Sequence, residues 1–171
     1  MSSTQESSES FFWAARAITN SPEETERLGE VLVRFLAPGV LVALYGELGT
    51  GKTTLVRGLA RGLGLEGVRS PSFKLASVYE GGAKLYHFDF YRLSPDEVEG
   101  TGFWEALAAR DGLVVCEWAE RVEGLPPERV EIGLQHLGER RRSVDIVSYL
   151  PWMDHAGLER ALWDAGIKLS R

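Results

Sequence analysis

Residues Gly46-Glu47-Leu48-Gly49-Thr50-Gly51-Lys52-Thr53 match the phosphate-loop pattern GxxxxGKS/T in full. The preceding residues, 40–45, are apolar and β-prone, as a fully buried strand should be. The residues that follow carry three leucines at helical spacing, Leu55, Leu59 and Leu63. A strand, a glycine-rich loop and a helix in this order favour a true phosphate-binding loop over a chance glycine-rich turn.

The residue types in this loop suit a polyphosphate ligand. Glycines allow the backbone conformations in which successive N–H groups point inward, and the helix N-terminus adds roughly half a positive charge. Lys52 is expected to reach the β- and γ-phosphates, and the Thr53 hydroxyl to ligate Mg²⁺. The predicted nucleotide-binding residues of the loop are Gly46, Glu47, Leu48, Gly49, Thr50, Gly51, Lys52, Thr53 and Thr54, the last of them at the α-phosphate.

Composition narrows the class of protein. The chain has 171 residues, 44% of them hydrophobic and 26% charged, which is typical of one soluble globular domain. Its formal net charge of −6 argues against binding nucleic acid by itself, because such binding depends on neutralising phosphates. No apolar run is long enough to cross a membrane, and the first ten residues lack the features of a secretory signal. The single cysteine, Cys116, excludes an internal disulfide and is predicted to be a buried core thiol. We therefore expect a cytoplasmic protein whose direct partners include neither DNA nor a membrane.

The rest of the chain mixes helix–strand units with hairpins. Ser21-Pro22 is a typical helix start. Hairpins are predicted at 75–88 and 129–147, a buried strand at 113–116, and helices at 103–110 and 155–165. This mixture predicts an α/β, P-loop NTPase-like domain of three layers with a mixed parallel and antiparallel sheet. The predicted organisation is a disordered tail at 1–10, a P-loop domain at 11–150 and a helical extension at 151–171 that packs on the same domain.

Two carboxylates close predicted strands, Asp89 after 84–88 and Glu117 after 113–116. A phosphate loop alone does not name a reaction, because phosphoryl transfer also needs carboxylates that organise a metal. At a strand end beside the loop, each can hold Mg²⁺ or its waters, although each could instead cap an element or pair with an arginine. Trp118, next to Glu117, is equally compatible with a nucleotide contact and with core packing.

Further blocks support a nucleotide-hydrolysing site. Ser70-Pro71-Ser72-Phe73 follows the loop helix, where P-loop proteins often have a switch segment. The run 87–93 concentrates His, Asp, Tyr and Arg in one short stretch, which is unusual for a purely structural strand exit.

In this order, the blocks resemble those of the TsaE family, the bacterial ATPases of tRNA threonylcarbamoyladenosine synthesis. The matching blocks are Glu23-Glu24-Thr25, GELGTGKTT at 46–54, SPSFKL at 70–75, HFDFYRL at 87–93 and CEW at 116–118. The resemblance extends from about residue 18 to residue 147. The combination is far more specific than the phosphate loop, which many families share.

The resemblance implies a small ATPase that uses ATP and Mg²⁺ and works with a TsaB–TsaD pair. In that assembly TsaD transfers a threonylcarbamoyl group to adenosine 37 of tRNAs that read ANN codons. The TsaE protein hydrolyses ATP to reset the assembly and does not make the modification itself. Contact with tRNA is therefore expected only through the pair.

The resemblance also assigns residue roles. Thr53 and Glu117 would ligate Mg²⁺, directly or through water. Asp89 would be essential for hydrolysis, as a further metal ligand or by organising the attacking water, beside a catalytic Lys52. Three more positions follow from the family pattern: Ser70 and Ser72 in the first switch, and Arg140, or its neighbour Arg141, at the nucleotide.

The chain departs from the family in two respects, and two other functions stay open. The family usually has Thr at the position of Ser72, and the segment 151–171 lies beyond the usual family end. A small-molecule P-loop kinase would use the same loop, but it needs an acceptor pocket with a base and an arginine-rich lid. Arg140, Arg141 and Arg142 lie at a predicted hairpin turn rather than in a long inserted loop. The other alternative is a nucleotide-dependent adaptor without catalysis.

Overall fold

The computed structural model describes residues 10–71 and 75–171, and in this part of the chain the strands form one eight-stranded sheet. The strands are β1 (Trp13–Thr19), β2 (Leu41–Tyr45), β3 (Ala76–Glu80), β4 (Lys84–Asp89), β5 (Leu113–Glu117), β6 (Arg129–His136), β7 (Arg142–Ser148) and β8 (Leu169–Ser170). The α-helices are α1 (Pro22–Leu32), α2 (Lys52–Gly62), α3 (Phe103–Ala109) and α4 (His155–Asp164). Short 3₁₀ helices cover Val33–Phe35, Pro95–Thr101 and Ala119–Arg121.

The sheet is mixed, as the sequence predicts. Its strand order is β3-β4-β5-β2-β6-β7-β1-β8. The central strands β4, β5, β2 and β6 are parallel, while β3, β7, β1 and β8 pair antiparallel to their neighbours. Because the carboxyl ends of parallel strands meet at one edge, the residues that follow β2, β4, β5 and β6 lie together there.

Alternating side chains of the buried strands build a core on each face of the sheet. On β2, Val42 and Leu44 face a core that also includes residues of α1, α2 and α4. Leu41 and Ala43 face the opposite core, which α3 covers. The predicted three-layer α/β architecture is thus confirmed. Cys116 is fully buried in the second core, and burial raises the pKa of its thiol, as expected for a structural cysteine.

Helix α1 begins as its sequence predicts. The Ser21 side chain accepts a hydrogen bond from the Glu24 N–H, Pro22 occupies the first turn, and two acidic residues lie near the helix N-terminus. The helix then packs closely against α2.

This close packing depends on glycines in both helices. A Cβ at Gly58 of α2 would overlap the Glu26 carbonyl of α1, and one at Gly29 would lie 2.6 Å from the Leu55 carbonyl oxygen. The two backbones therefore approach more closely than any side chain at these positions permits. Since α2 begins at the phosphate loop, its contact with α1 helps to position that loop.

The segment after residue 150 packs on the same face as α1. Leu158 and Leu162 of α4 are fully buried in the core that contains α1 and α2. The His155 ring stacks on Trp13 of β1 at 5.7 Å between centroids. Strand β8, which the sequence pattern did not predict, pairs with β1.

Apart from Ser10, the predicted tail at 1–10 lies outside the described residues. Within the described ranges, none of the helices combines the length and apolar composition that a membrane span requires.

We expect Gly58→Ala to destabilise the fold. Alanine is the better helix former by about 1 kcal/mol, but its methyl group would overlap the Glu26 carbonyl, and overpacking of this kind typically costs about 1–3 kcal/mol. A fall in Tm of several degrees is expected in thermal unfolding monitored by circular dichroism. Arg57→Ala, an exposed change on the same helix, is the control and should leave Tm nearly unchanged. An equal or higher Tm for Gly58→Ala would show that the two helices do not depend on this close contact.

Candidate nucleotide-binding site

The phosphate loop connects β2 to α2, and its glycines hold conformations that other residues rarely adopt. The φ angles are 144° at Gly46, 77° at Gly49 and 101° at Gly51. A Cβ at Gly46 would lie 2.6 Å from the Leu134 carbonyl oxygen of β6. The loop therefore needs glycine both for its backbone angles and for its close approach to the neighbouring strand.

Lys52 lies on the inner side of the loop. It is buried, and its ammonium group donates to the carbonyls of Gly46 and Glu47, the latter at 2.8 Å. The ammonium also lies 4.5 Å from the centre of the Trp118 ring. Burial lowers the pKa of Lys52, while the nearby carboxylates, above all Glu117, act in the opposite direction.

Thr53 and Glu117 meet beneath the loop. The Thr53 hydroxyl donates to the Glu117 carboxylate at 3.0 Å and 3.3 Å, and both oxygens of the carboxylate take part. Parallel pairing produces this contact, because Glu117 is in register with Leu44 of β2 and with Asp89 of β4. A hydroxyl and a carboxylate side by side at a phosphate loop are hard oxygen donors of the type that Mg²⁺ prefers.

Thr53 and Glu117 suit a metal ion that takes its remaining ligands from a bound nucleotide and water. In residues 10–71 and 75–171, no three His, Cys, Asp or Glu side chains cluster closely enough to hold a metal ion by themselves. Mg²⁺ in nucleotide sites usually takes one or two protein oxygens and completes its shell with phosphates and water. The residues at this loop therefore fit Mg²⁺ bound together with a nucleotide.

His87 supports Glu117 from behind, a role that sequence reasoning missed. Its Nε2 lies 2.7 Å from a Glu117 carboxylate oxygen, and both side chains are buried. Because a carboxylate can only accept, His87 donates from Nε2–H. Its Nδ1 is buried without a hydrogen-bond partner among the described residues. The pairing orients the carboxylate towards Thr53.

Asp89 lies beside Glu117 at the end of the adjacent strand. One of its oxygens accepts the Tyr91 backbone N–H at 3.0 Å, which holds the carboxylate in place. Burial raises the pKa of this half-buried group, the Tyr91 N–H lowers it, and the Glu117 charge raises it further. The two strand-end carboxylates predicted from the sequence are therefore brought together beside the loop.

Trp118 also lies at the loop. Its backbone is left-handed, with φ 60° and ψ 48°, which is rare for a bulky residue and typical of functional sites. The ring packs on Tyr91 at 4.8 Å between centroids, lies under the Lys52 ammonium and packs against the second core. A nucleotide contact of Trp118 stays a prediction, but the side chain joins the loop to the segment after β4.

The other loop residues have varied positions. The Thr50 hydroxyl donates to the Glu47 carbonyl at 2.9 Å, which closes a turn within the loop. Leu48 is exposed at the loop tip, and Thr54 is half-buried in the first turn of α2. A cleft of about 410 Å³ lies between the loop and the end of β6.

The predicted switch segment is described only in part. Ser70 is exposed in the stretch that follows α2, while Ser72 lies outside the described residues. The switch roles of both serines stay predictions.

The arginines predicted to contact nucleotide lie on the surface of the β6–β7 hairpin. The guanidinium of Arg140 is 3.1 Å from the Glu23 carboxylate of α1, in a pair that is well exposed on both sides. Arg141 donates to the Asn20 side-chain oxygen at 3.2 Å. Both residues thus join the hairpin to the start of α1, and a nucleotide contact of either stays a prediction.

Arg142 is the arginine that contacts the phosphate loop, and sequence reasoning missed it. Its guanidinium donates to the Thr50 carbonyl at 3.0 Å and to the Gly49 carbonyl at 3.3 Å. From the sequence, Arg142 is recognisable only as a residue of the predicted hairpin. The strand register places it opposite His136, at the edge of the sheet where the phosphate loop lies.

With this geometry established, the chain is found to be similar to proteins of one family. A model of the family described as Threonylcarbamoyl adenosine biosynthesis protein TsaE matches residues 19–144. The chain is 39% identical over 132 residues to the tRNA threonylcarbamoyladenosine biosynthesis protein TsaE of Nostoc sp. (strain PCC 7120), covering 74% of this chain and 82% of that protein. It is 41% identical over 134 residues to the protein of the same name from Treponema pallidum, covering 77% of this chain and 98% of that protein.

A solved structure shares the fold. The crystal structure of YdiB from Bacillus subtilis matches with a TM-score of 0.64 and 28% sequence identity, covering 90% of this chain and 95% of that chain. The P-loop NTPase-like fold predicted from the sequence is confirmed by this likeness together with the loop between β2 and α2.

We expect Glu117→Gln to weaken the Mg²⁺ dependence of ATP binding. The change keeps the shape of the side chain but removes the negative charge beside Thr53. The Mg²⁺ concentration needed for half-maximal ATP binding should rise by at least roughly tenfold, as measured by calorimetry at a series of Mg²⁺ concentrations. Glu120→Gln is the matched control, because this exposed carboxylate acts on Lys52 only through its charge. Identical Mg²⁺ titrations for Glu117→Gln and the parent would rule out a metal role.

Proposed function

The chain belongs to the TsaE family of tRNA threonylcarbamoyladenosine biosynthesis proteins, and we propose on this premise that it is a Mg²⁺-dependent ATPase that acts on a TsaB–TsaD complex. In this proposal the protein hydrolyses ATP so that the complex can continue modifying adenosine 37 of tRNA, and it meets tRNA only through that complex. Its place of action is the cytoplasm.

The observation that carries the proposal is the contact of Thr53 with Glu117 at the base of the phosphate loop. The loop N–H groups and Lys52 would bind the β- and γ-phosphates, and Thr53 and Glu117 would hold Mg²⁺. The metal supplies neutralisation of the charge on the phosphate oxygens. His87 keeps the Glu117 carboxylate facing Thr53.

Asp89 is the proposed hydrolytic residue. It lies next to Glu117 in the sheet register, and the Tyr91 N–H fixes one of its oxygens. A carboxylate held at this edge of the loop can orient the attacking water and accept its proton. The reaction is transfer of the terminal phosphoryl group to water.

The arrangement of arginines supports dependence on a partner. In fast P-loop NTPases an arginine neutralises the charge of the transition state. Here the side chains of Arg140 and Arg141 bind Glu23 and Asn20, and Arg142 binds loop carbonyls. We propose that the isolated protein hydrolyses ATP slowly, and that the complex either supplies such an arginine or orders one at the site. The same contacts argue against an arginine lid of the kind found in small-molecule kinases.

We expect Asp89→Asn to keep ATP binding and lose hydrolysis. The amide retains the size of the side chain but is a poor proton acceptor, so phosphate release should fall by roughly 100-fold or more. Phosphate release and calorimetric ATP affinity are measured on the same preparation. Asp111→Asn is the control, because Asp111 pairs with Lys84 on the surface. Undiminished turnover in Asp89→Asn would assign this residue a structural role.

We also expect ATP hydrolysis to be slow for the protein alone and faster with TsaB–TsaD. Steady-state hydrolysis is compared for the protein alone, with the pair, and with the pair plus tRNA. If the pair supplies an arginine, the increase can reach roughly 10³-fold. Lys52→Ala in the same mixtures controls for contaminating ATPases. Full activity alone, or transfer of labelled phosphate to a small molecule instead of water, would favour the kinase alternative.

A further inference from the structure

Arg142 uses its guanidinium to join two loops. Nε donates to the Thr50 carbonyl at 3.0 Å, and Nη2 donates to the Gly49 carbonyl at 3.3 Å. The two N–H groups of Nη1 are shared among three carbonyls of the hairpin turn, with nitrogen-to-oxygen distances of 3.0 Å to Gly138, 3.2 Å to Glu139 and 2.9 Å to Arg141. All three guanidinium nitrogens are thus engaged with backbone oxygens, on the phosphate loop at one side and on the β6–β7 turn at the other.

We propose that Arg142 is a positioning residue of the phosphate loop, which orders the loop for phosphate binding without contacting the phosphate. The inference rests on the proposed function and deepens it, because it names what holds the binding loop in shape.

Peptide geometry supplies the first argument. In a trans peptide the C=O and the following N–H point in opposite directions. When Arg142 holds the carbonyls of Gly49 and Thr50 on its own side, the N–H groups of Thr50 and Gly51 must face the other way. The Thr50 N–H donates to the Glu47 carbonyl, 3.4 Å from nitrogen to oxygen, in the turn within the loop. The Gly51 N–H, at the start of α2, is thereby directed away from Arg142 towards the inside of the loop.

Charge supplies the second argument. Carbonyl oxygens carry partial negative charge and would repel an anion if they turned into the binding loop. Two cations bind these carbonyls. Lys52 donates hydrogen bonds to the Gly46 and Glu47 carbonyls, and Arg142 donates to those of Gly49 and Thr50. A hydrogen bond from a charged donor also polarises the peptide group, which strengthens its N–H as a donor to phosphate.

The hairpin is a firm support for this contact. Arg142 pairs with His136 across the β6–β7 ladder, and β6 pairs with β2 up to Tyr45, the residue before the loop. The Leu137 N–H closes the turn by donating to the Arg141 carbonyl at 3.0 Å. The loop is therefore tied to the sheet at Tyr45 by the chain itself and again, through Arg142, at Gly49 and Thr50.

Arg142 and Arg16 provide a matched experiment. Each change to glutamine removes one positive charge from the same sheet, but Arg142 contacts the phosphate loop, whereas Arg16 pairs with Asp145 on the surface. We expect Arg142→Gln to weaken MgATP and MgADP by the same factor, at least about tenfold, because it removes charge-assisted bonds to two loop carbonyls. Arg16→Gln should leave both affinities close to the parent's. Calorimetry with MgATP and MgADP measures these values.

A second readout separates positioning from general stability. Hydrogen exchange of the protein without nucleotide should accelerate at the Thr50, Gly51 and Lys52 amides in Arg142→Gln, while the β6 and β7 amides and Tm stay as in the parent. Arg142→Lys, which keeps the charge but lacks the forked geometry, should show the same faster exchange. This second variant also decides the matter if Arg142→Gln does not fold.

Three results would overturn the inference. The first is unchanged loop exchange in both variants, and the second is unchanged affinity for both nucleotides. The third is a loss confined to MgATP, which would mean that Arg142 contacts the γ-phosphate directly. If the parent binds neither nucleotide, the proposed function fails, whereas the exchange measurement still tests whether Arg142 orders the loop.

Discussion

The buried Glu117 carboxylate is the group on which the rest of the site depends. An ionised carboxylate at the end of a buried strand is costly unless its oxygens are hydrogen-bonded. His87 and Thr53 provide those bonds at 2.7 Å and 3.0 Å. The three residues belong to β4, β5 and α2, so satisfying one charge fixes two strands and the loop helix relative to one another. A bound metal ion would receive a carboxylate that is already oriented.

The phosphate loop is held from two sides. Its helix packs on α1 through Gly29 and Gly58, where the backbones come too close for side chains. On the other side, Arg142 of the β6–β7 hairpin holds two loop carbonyls. A loop that must present its N–H groups to an anion gains from such support, because ordering it only upon binding would cost conformational entropy.

The two sides of the site differ in the elements that build them. Towards β2 and β6 it is built from paired strands and a firm hairpin. Towards β4 it consists of Asp89, the exposed Tyr91 and the left-handed Trp118, whose ring contacts both Tyr91 and Lys52. Leu75, directly before β3, also lies on this side, since its carbonyl accepts the Asp89 N–H at 3.1 Å. The proposed hydrolytic residue, Asp89, is thus on the side where Tyr91 is exposed.

The sequence by itself determined what depends on neighbours in the chain. The strand–loop–helix unit, the Ser21 cap, both hairpins and the buried strand at β5 follow from glycine angles, capping and alternation, and all were predicted. The tertiary structure decided what joins distant segments. Thr53 meets Glu117 across 64 positions, and Arg142 meets Thr50 across 92. Consecutive arginines have the same local preferences, so the sequence could not say which of three reaches the loop. Strand pairing decides it, because Arg142 begins β7 opposite His136 at the loop edge of the sheet, while Arg140 and Arg141 lie in the turn before it and bind Glu23 and Asn20. This pairing is set by packing across the whole sheet.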